Sequence, residues 1–463
     1  MPASVPLPLP AHPEPVPPPG AILPTSGAAH RLRVALLMAG SCLPILGAVL
    51  IAPVLPKMQD HFAGVPGAGA LVPMALTIPA LALGLLAPFA GVIVDRLGRK
   101  RLLIAATVLY ALFGTAPLWL ESLGAIVASR ALVGIAEAAI MTCCTTLIGD
   151  YYSGRVRDRY LALQTMCASA SATAFFVIGG AAGSAGWRTP FWIYAVSLLI
   201  APLMAIGLPK PTAAAPAAAA EKGESTATTA ITGSTAAPKP SHLSHPSQPS
   251  QPSFPFRQLA GICGLTVFGA VVFYTVPVEM SYLLDGLGVT ATSVIGPVTA
   301  IASAATVAGA ITFAKLRGAP GPRLPLVFAL CAAGFAVMWL ADSAPLLIVG
   351  AVLNCLGTGL LLPSLLTIAL SRLDFADRGR GTGLWTASFF IGQFMCPLVL
   401  IAAESALGTL AAAVGLLALT SAVVASGLFL TARHRAAAVG PLPQQQEAAR
   451  AGRVEGGAVR SAP

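Results

Sequence analysis

The sequence is short of charge. Only 10% of its 463 residues are Asp, Glu, Lys or Arg, and 6% are aromatic. Soluble domains carry about 25% charged residues, so a water-soluble chain of this length would lack the polar surface to cover itself. Histidine is scarce as well. None of the six lies inside a long apolar run, and no nucleophile–base constellation stands out, which argues against an embedded enzyme. No P-loop pattern occurs, which argues against ATP-driven pumping by this chain. No C-x-x-C pair occurs either. All eight cysteines sit within apolar runs, as small packing residues do. Neither a metal ion nor a cofactor is called for.

What the sequence has is apolar length. Apolar residues make up 56%, the mean hydropathy is +0.81, and the runs are long and do not alternate with period two. That pattern predicts an all-α integral membrane protein, not a β-barrel. Twelve candidate spans follow, at 33–55, 70–94, 102–120, 124–148, 162–183, 190–208, 257–281, 291–313, 325–341, 345–370, 382–403 and 408–431. Prolines within them are compatible with kinked membrane helices. Residues 1–32 form a Pro/Ala-rich arm without the marks of a signal peptide. Residues 209–256, rich in Ala, Pro, Ser and Thr, read as a disordered linker, and 432–463 as a flexible tail. The domains are thus a six-helix half over 33–208 and another over 257–431.

The net charge of +10 does not mark a nucleic-acid partner, because no basic stripe interleaved with aromatics exists. The bases report topology instead. All of the 27 Lys and Arg except Lys57, Arg130 and Arg188 fall in the N-terminal arm, the even-numbered gaps, the linker and the tail. By the positive-inside rule these segments, and both termini, are cytoplasmic. The expected setting is a cell membrane, of the bacterial inner-membrane kind. The two halves also look related: "RDRYLAL" (157–163) and "RGRGTGL" (378–384) occupy matching gaps. Two parallel six-helix repeats around a central cavity are a transporter architecture.

The gap between spans two and three reads "GVIVDRLGRKR" (91–101). Gly91 is suited to close helix approach, Gly98 to a turn, and Asp95 to capping or facing a neighbouring helix N-terminus. Any cytoplasmic loop carries bases, but that does not account for the acid or the glycine spacing. The stretch resembles the signature loop of the major facilitator superfamily, G-x-x-x-D-R-x-G-R-K/R, through Gly91, Asp95, Arg96, Gly98, Arg99 and Lys100. The resemblance covers nearly the whole chain. It implies a twelve-helix major facilitator fold in which this loop latches the cytoplasmic gate, its acid touching a helix of the other half in the outward-open state.

A narrower resemblance is to the twelve-helix drug/proton antiporters. "LGAVLIAPVLP" (46–56) fits their span-one pattern through Leu46, Gly47, Pro53, Val54 and Pro56. "RALVGIAEAA" (130–139) fits the span-four pattern at Arg130 and Gly134, with Val133 in place of Gln. The span-five pattern fails, since Phe175 and Phe176 stand where Gly-Pro is expected, and this weakens the drug-antiport assignment.

Within span four, Glu137 follows Arg130 by seven residues, about 10 Å along the same face. A buried acid and base on one stripe point to a cavity, and to proton or substrate handling or a structural pair. Glu279 is a further candidate for that role. Phe175, Tyr274, Asn354 and Gln393 are candidate cavity residues, against the commoner roles of anchoring and interhelical bonding.

These readings predict a monomeric secondary transporter in the lipid bilayer, with a small organic molecule as substrate and protons as co-substrate, working as a drug or metabolite antiporter. Uptake or facilitated diffusion of a metabolite is the alternative, and a membrane-embedded sensor or enzyme the rival class. Labelling of single cysteines tests the topology. Asp285→Cys should react with an impermeant maleimide only from outside the cell, and Ala230→Cys only from inside; the reverse pattern inverts the orientation.

Overall fold

The computed structural model describes residues 27–209, 256–316, 318–374 and 377–438. Twelve helices among them are long and apolar enough to cross a membrane. They are span 1 (Gly27–His61), span 2 (Ala68–Leu86), span 3 (Arg99–Leu118), span 4 (Leu123–Tyr151), span 5 (Gly154–Gly183) and span 6 (Thr189–Gly207). After the central gap come span 7 (Leu259–Gly286), span 8 (Thr292–Lys315), span 9 (Gly321–Trp339), span 10 (Ala344–Ser371), span 11 (Arg378–Leu407) and span 12 (Leu410–His434). The expected arm, linker and tail lie mostly outside the described residues. Helix reaches into the expected arm and tail: span 1 already begins at Gly27, and the helix of span 12 continues to Ala438.

Proline sets several boundaries that hydropathy alone misplaced. Span 2, read as 70–94, ends at Leu86, and a separate short helix covers Ala90–Leu97. Pro88 has no N–H to continue the ladder, so the chain turns there. Span 1 is broken from within. Its ladder runs as far as the Leu50 N–H on the Leu46 carbonyl at 3.0 Å. It then gives way to a 3₁₀ turn at Ala52–Val54 around Pro53, and Pro56 opens the next helix, Leu55–His61.

The packing repeats itself six spans apart. Spans 2 and 3 flank span 4, as spans 8 and 9 flank span 10. Span 1 packs on span 5, and span 7 on span 11. The halves meet along two seams, between spans 5 and 8 and between spans 11 and 2. These contacts exchange equivalent partners, as a two-fold relation between the halves requires.

The seams close at different depths. We call the side of the 2–3 and 4–5 loops the basic face. Spans 5 and 8 meet toward the opposite face, where Gly180 lies so close to Thr292 and Gly296 that a Cβ would strike their backbone. Nearer the basic face the cavity lies between the same spans, with Thr165 and Val307 at its wall. Spans 2 and 11 meet near the basic face instead. A Cβ on Gly84 would lie 3.2 Å from the Ala387 carbonyl, and one on Gly383 would lie 3.5 Å from Pro88.

Gly91, expected to allow close helix approach, has open space where a Cβ would sit. Gly180→Leu therefore overpacks a seam, at about 1–3 kcal/mol, while Gly91→Leu meets nothing. Thermal unfolding in detergent should show a midpoint several degrees lower for Gly180→Leu and nearly unchanged for Gly91→Leu.

Candidate substrate cavity and its buried charges

The break in span 1 leaves backbone carbonyls without ladder partners, and two other spans take them. Arg130 of span 4 is fully buried and donates from Nη2 to the Gly47 carbonyl at 2.8 Å. Its Nε donates to the Ala75 carbonyl of span 2 at 3.1 Å, and its Nη1 to the Tyr194 hydroxyl of span 6 at 2.8 Å. The Tyr110 hydroxyl of span 3 donates to the Leu43 carbonyl at 2.6 Å, and its ring lies 5.2 Å from that of Tyr194. From the other half, the Tyr274 hydroxyl donates to the Ala48 carbonyl at 2.6 Å. Arg130 thus bonds its own span to three others. It does not line the cavity, and its three nitrogens are all engaged.

Glu137 sits two turns along the same span. It is 1% exposed, its carboxylate stands against Gly47, and its Oε1 has no hydrogen-bond partner among the described residues. No ion pair joins it to Arg130 there. Glycine at position 47 leaves room for the carboxylate, as glycine at 134 lets span 4 lie on Pro79 of span 2, where a Cβ would come within 2.5 Å.

Glu137 lines a cavity of about 270 Å³ between the halves, walled by spans 1, 2, 4, 5, 7, 8, 10 and 11. That volume is near the lower end of the roughly 300–1,000 Å³ of small-ligand sites. The wall is mostly apolar. Phe176 faces in from the first half, and Phe273, Phe389 and Phe390 from the second. Phe389 stacks parallel on Trp385 at 5.7 Å and lies 5.8 Å from Phe273. Gln393, one turn beyond Phe389, is among the polar groups at the wall.

The structure sorts the sequence candidates. Tyr274, Gln393 and Glu137 reach the cavity. Phe175 does not; its neighbour Phe176 takes the place, because successive helical residues point about 100° apart. Asn354 does not either. It lies between spans 9 and 10, close to Gly334, and its Nδ2 donates to the Cys331 carbonyl at 3.5 Å. Glu279 is 5% exposed and lies beyond the cavity wall, toward the opposite face. The aromatic wall of span 11 went unread, although Phe389 and Gln393 share a helical face.

The signature loop holds together within its own half. Asp95 neither caps a helix nor meets the other half here. It accepts from Arg99, one turn on, at 2.8 Å, and Arg99 also binds Asp150 at the end of span 4. Gly98 adopts φ 84°, the turn that glycine permits at no steric cost. Lys100 donates to the Ala205 carbonyl at 2.7 Å and to that of Leu208, at the end of span 6. Arg96 is exposed.

Twelve spans in two equivalent halves around a central apolar cavity define the class of membrane transport folds. The sequence profile of the Major Facilitator Superfamily matches residues 37–341, and the chain belongs to that family. Among curated proteins, it is 31% identical over 159 residues to the class C tetracycline resistance protein of Escherichia coli. It is 29% identical over 187 residues to multidrug resistance protein 2 of Bacillus subtilis, and 27% over 165 to the 3-(3-hydroxy-phenyl)propionate transporter of E. coli. The matched stretches cover 33%, 38% and 35% of this chain, and 39%, 43% and 38% of the respective relatives. The chain thus spans about two-fifths of the length of these relatives. Similar solved structures include a bacterial homolog of the human lysosomal transporter Spinster, inward-facing and occupied, at TM-score 0.63 and 15% identity over 89% of this chain and 98% of that one. A D-xylose–proton symporter gives 0.63 and 13% over 85% and 97%. At these identities the likeness is one of fold.

Arg130→Ala removes three bonds and strands their buried acceptors, a loss of several kcal/mol. It should sharply cut the yield of folded protein from detergent, with Arg130→Lys intermediate, since charge is kept but the forked geometry is lost. Glu137→Gln, at a carboxylate with an unpartnered oxygen, should keep the parent's yield.

Proposed function

We propose that this chain is a secondary transporter that exports a small, largely apolar organic solute by alternating access, in exchange for protons carried by Glu137. The observation that carries this reading is the unpartnered Glu137 oxygen, buried at the wall of an apolar cavity between the halves. Burial in an apolar site opposes the charge of an acid that has no hydrogen-bond partner, and the cation of Arg130, two turns away, offsets this in part. In this reading that balance shifts as the cavity opens and closes, so Glu137 takes up a proton in the closed surroundings and gives it up when the cavity opens to water. Arg130, with all three nitrogens engaged, keeps the bundle in register while this happens. Phe176, Phe273 and Phe389 supply the apolar and ring contacts for the solute. The tetracycline and multidrug resistance relatives support export as the direction.

The basic face is cytoplasmic in this reading, with both termini on that side of the cell membrane, the chain acting as a monomer. The signature loop serves as its gate: Asp95, paired within its own half here, changes partners when the cytoplasmic side closes. Residues between spans 6 and 7 tether the halves.

Proton flux into proteoliposomes, evoked by candidate solutes, tests the function. The parent should couple solute movement to a proton current. Glu137→Gln should abolish proton-driven accumulation while leaving downhill solute exchange. A Glu137→Gln protein that moves protons at the parent's rate refutes the role of Glu137, and a parent that moves no solute refutes transport.

A further inference from the structure

A second acid is buried where taking up a proton has a different consequence. Glu279 stands on span 7, two residues past Pro277, with 5% of its surface exposed. Val276 and Pro277 line the cavity, and Glu279 lies beyond them toward the opposite face. There span 7 packs on the broken end of span 1, the two short helices Ala52–Val54 and Leu55–His61. The seam between the halves is closed at this depth.

The ionisable groups around Glu279 come from two elements. Tyr282 lies on its own span, and Cys396 and Glu404 on span 11. Asp60, from the first half, acts on Tyr282. Span 8, which closes the seam beside it, and span 10, packed along span 7, bring no charged group to bear on it. Among the described residues no cation pairs with Glu279. The bases on this face are engaged elsewhere: Lys57 donates to the Gly183 carbonyl at 3.1 Å, and Arg188 to the Leu120 carbonyl at 3.1 Å. The hydroxyl of Tyr282 is buried without a hydrogen-bond partner, and so is that of the adjacent Ser281.

We propose that Glu279 is a second proton-binding site, which sets whether the seam on the opposite face is open or closed. The proposal rests on the alternating-access reading but needs neither a particular solute nor Glu137. Closing the seam packs the end of span 1 on span 7 at this depth and strips water from Glu279, which already stands near Glu404 of its own half. A charged carboxylate left unsolvated there opposes closure. Taking a proton from solution at the opposite face removes that opposition. Only the O–H bond is made. When the seam opens, water reaches the group, the proton returns to the same solution, and the carboxylate then resists reclosure. Glu137 and Glu279 thus divide the work, one at the cavity wall and the other at the depth where the seam is closed.

Seam opening can be read without substrate. Val54→Cys places a thiol in the closed seam, where Val54 is fully buried beside Gly183. It is introduced into the full-length chain with the eight native cysteines replaced. In vesicles, labelling by an impermeant maleimide from the opposite face is followed against the pH of that face and normalised to denatured protein at each pH. The parent should label at least about threefold more at alkaline than at acid pH, the mark of a shifted two-state population. Glu279→Gln should label at the low, acid level at every pH. Glu279→Asp should restore the response, which also shows that the site tolerates substitution. Glu404→Gln should move the response to lower pH. A parent-like pH response in Glu279→Gln overturns the proposal, as does loss of the response in Glu137→Gln. Failure of solute transport with the labelling response intact refutes the transport reading alone.

Discussion

Everything in the first half leans on the interrupted ladder of span 1. A continuous helix would consume the carbonyls of Gly47 and Ala48 internally. The proline-rich turn at 52–56 leaves them unbonded in the apolar interior, where an unmet acceptor costs about 1–3 kcal/mol. Arg130 and Tyr274 meet that need from opposite halves. One bond therefore fixes span 4 within its bundle, while the other joins the two bundles. The bond of Tyr274 is the more exposed to change, because any rocking of one half on the other must strain or break it. Gly47 sits at the centre, with its carbonyl on Arg130 and its bare Cα against Glu137.

The unequal seams give the cavity its shape. A strict two-fold relation would close both seams at equal depth. Spans 5 and 8 instead close around Gly180 and Gly296, toward the opposite face, whereas spans 2 and 11 close around Gly84 and Ala387, near the basic face. The cavity is walled on the 5–8 side by residues as far toward the basic face as Thr165 and Val307. Its polar and aromatic features are divided as well. The first half brings the acid, Glu137, and the second most of the rings.

The architecture was legible because the bilayer imposes it: each crossing needs about 20 apolar residues, and twelve such runs are plain in the sequence. Short-range geometry was legible too. Gly98 makes the turn its type suggests, and Gly47 and Gly134 sit at close approaches. What hid was the direction in which side chains point. Phe175 and Phe176 are equally apolar, and only the rotation of span 5 decides which sees the cavity. Asn354 has the composition of a binding residue but faces span 9. Arg130 was legible as buried and important. Its work as a brace was not, because its partners are two carbonyls and a hydroxyl on three other spans, and backbone acceptors leave no mark in a sequence. Gly91 fits its motif by type, yet nothing crowds it in this conformation.

The grip of Lys100 on the last turn of span 6 has a mechanical side. Residues 205–209 are the point at which the chain leaves the first half. They are held by Lys100 on two carbonyls and by the Tyr151 hydroxyl on the Pro209 carbonyl at 2.6 Å. Lys100 adjoins Arg99, whose guanidinium bridges Asp95 and Asp150, and Asp150 adjoins Tyr151. A load applied along the chain that follows is therefore not borne by span 6 alone. It passes through Lys100 and Tyr151 into the signature loop and the foot of span 4. The same few side chains that order the loop also hold the point where the chain leaves the first half, so a displacement at that point and the posture of the loop are one mechanical variable.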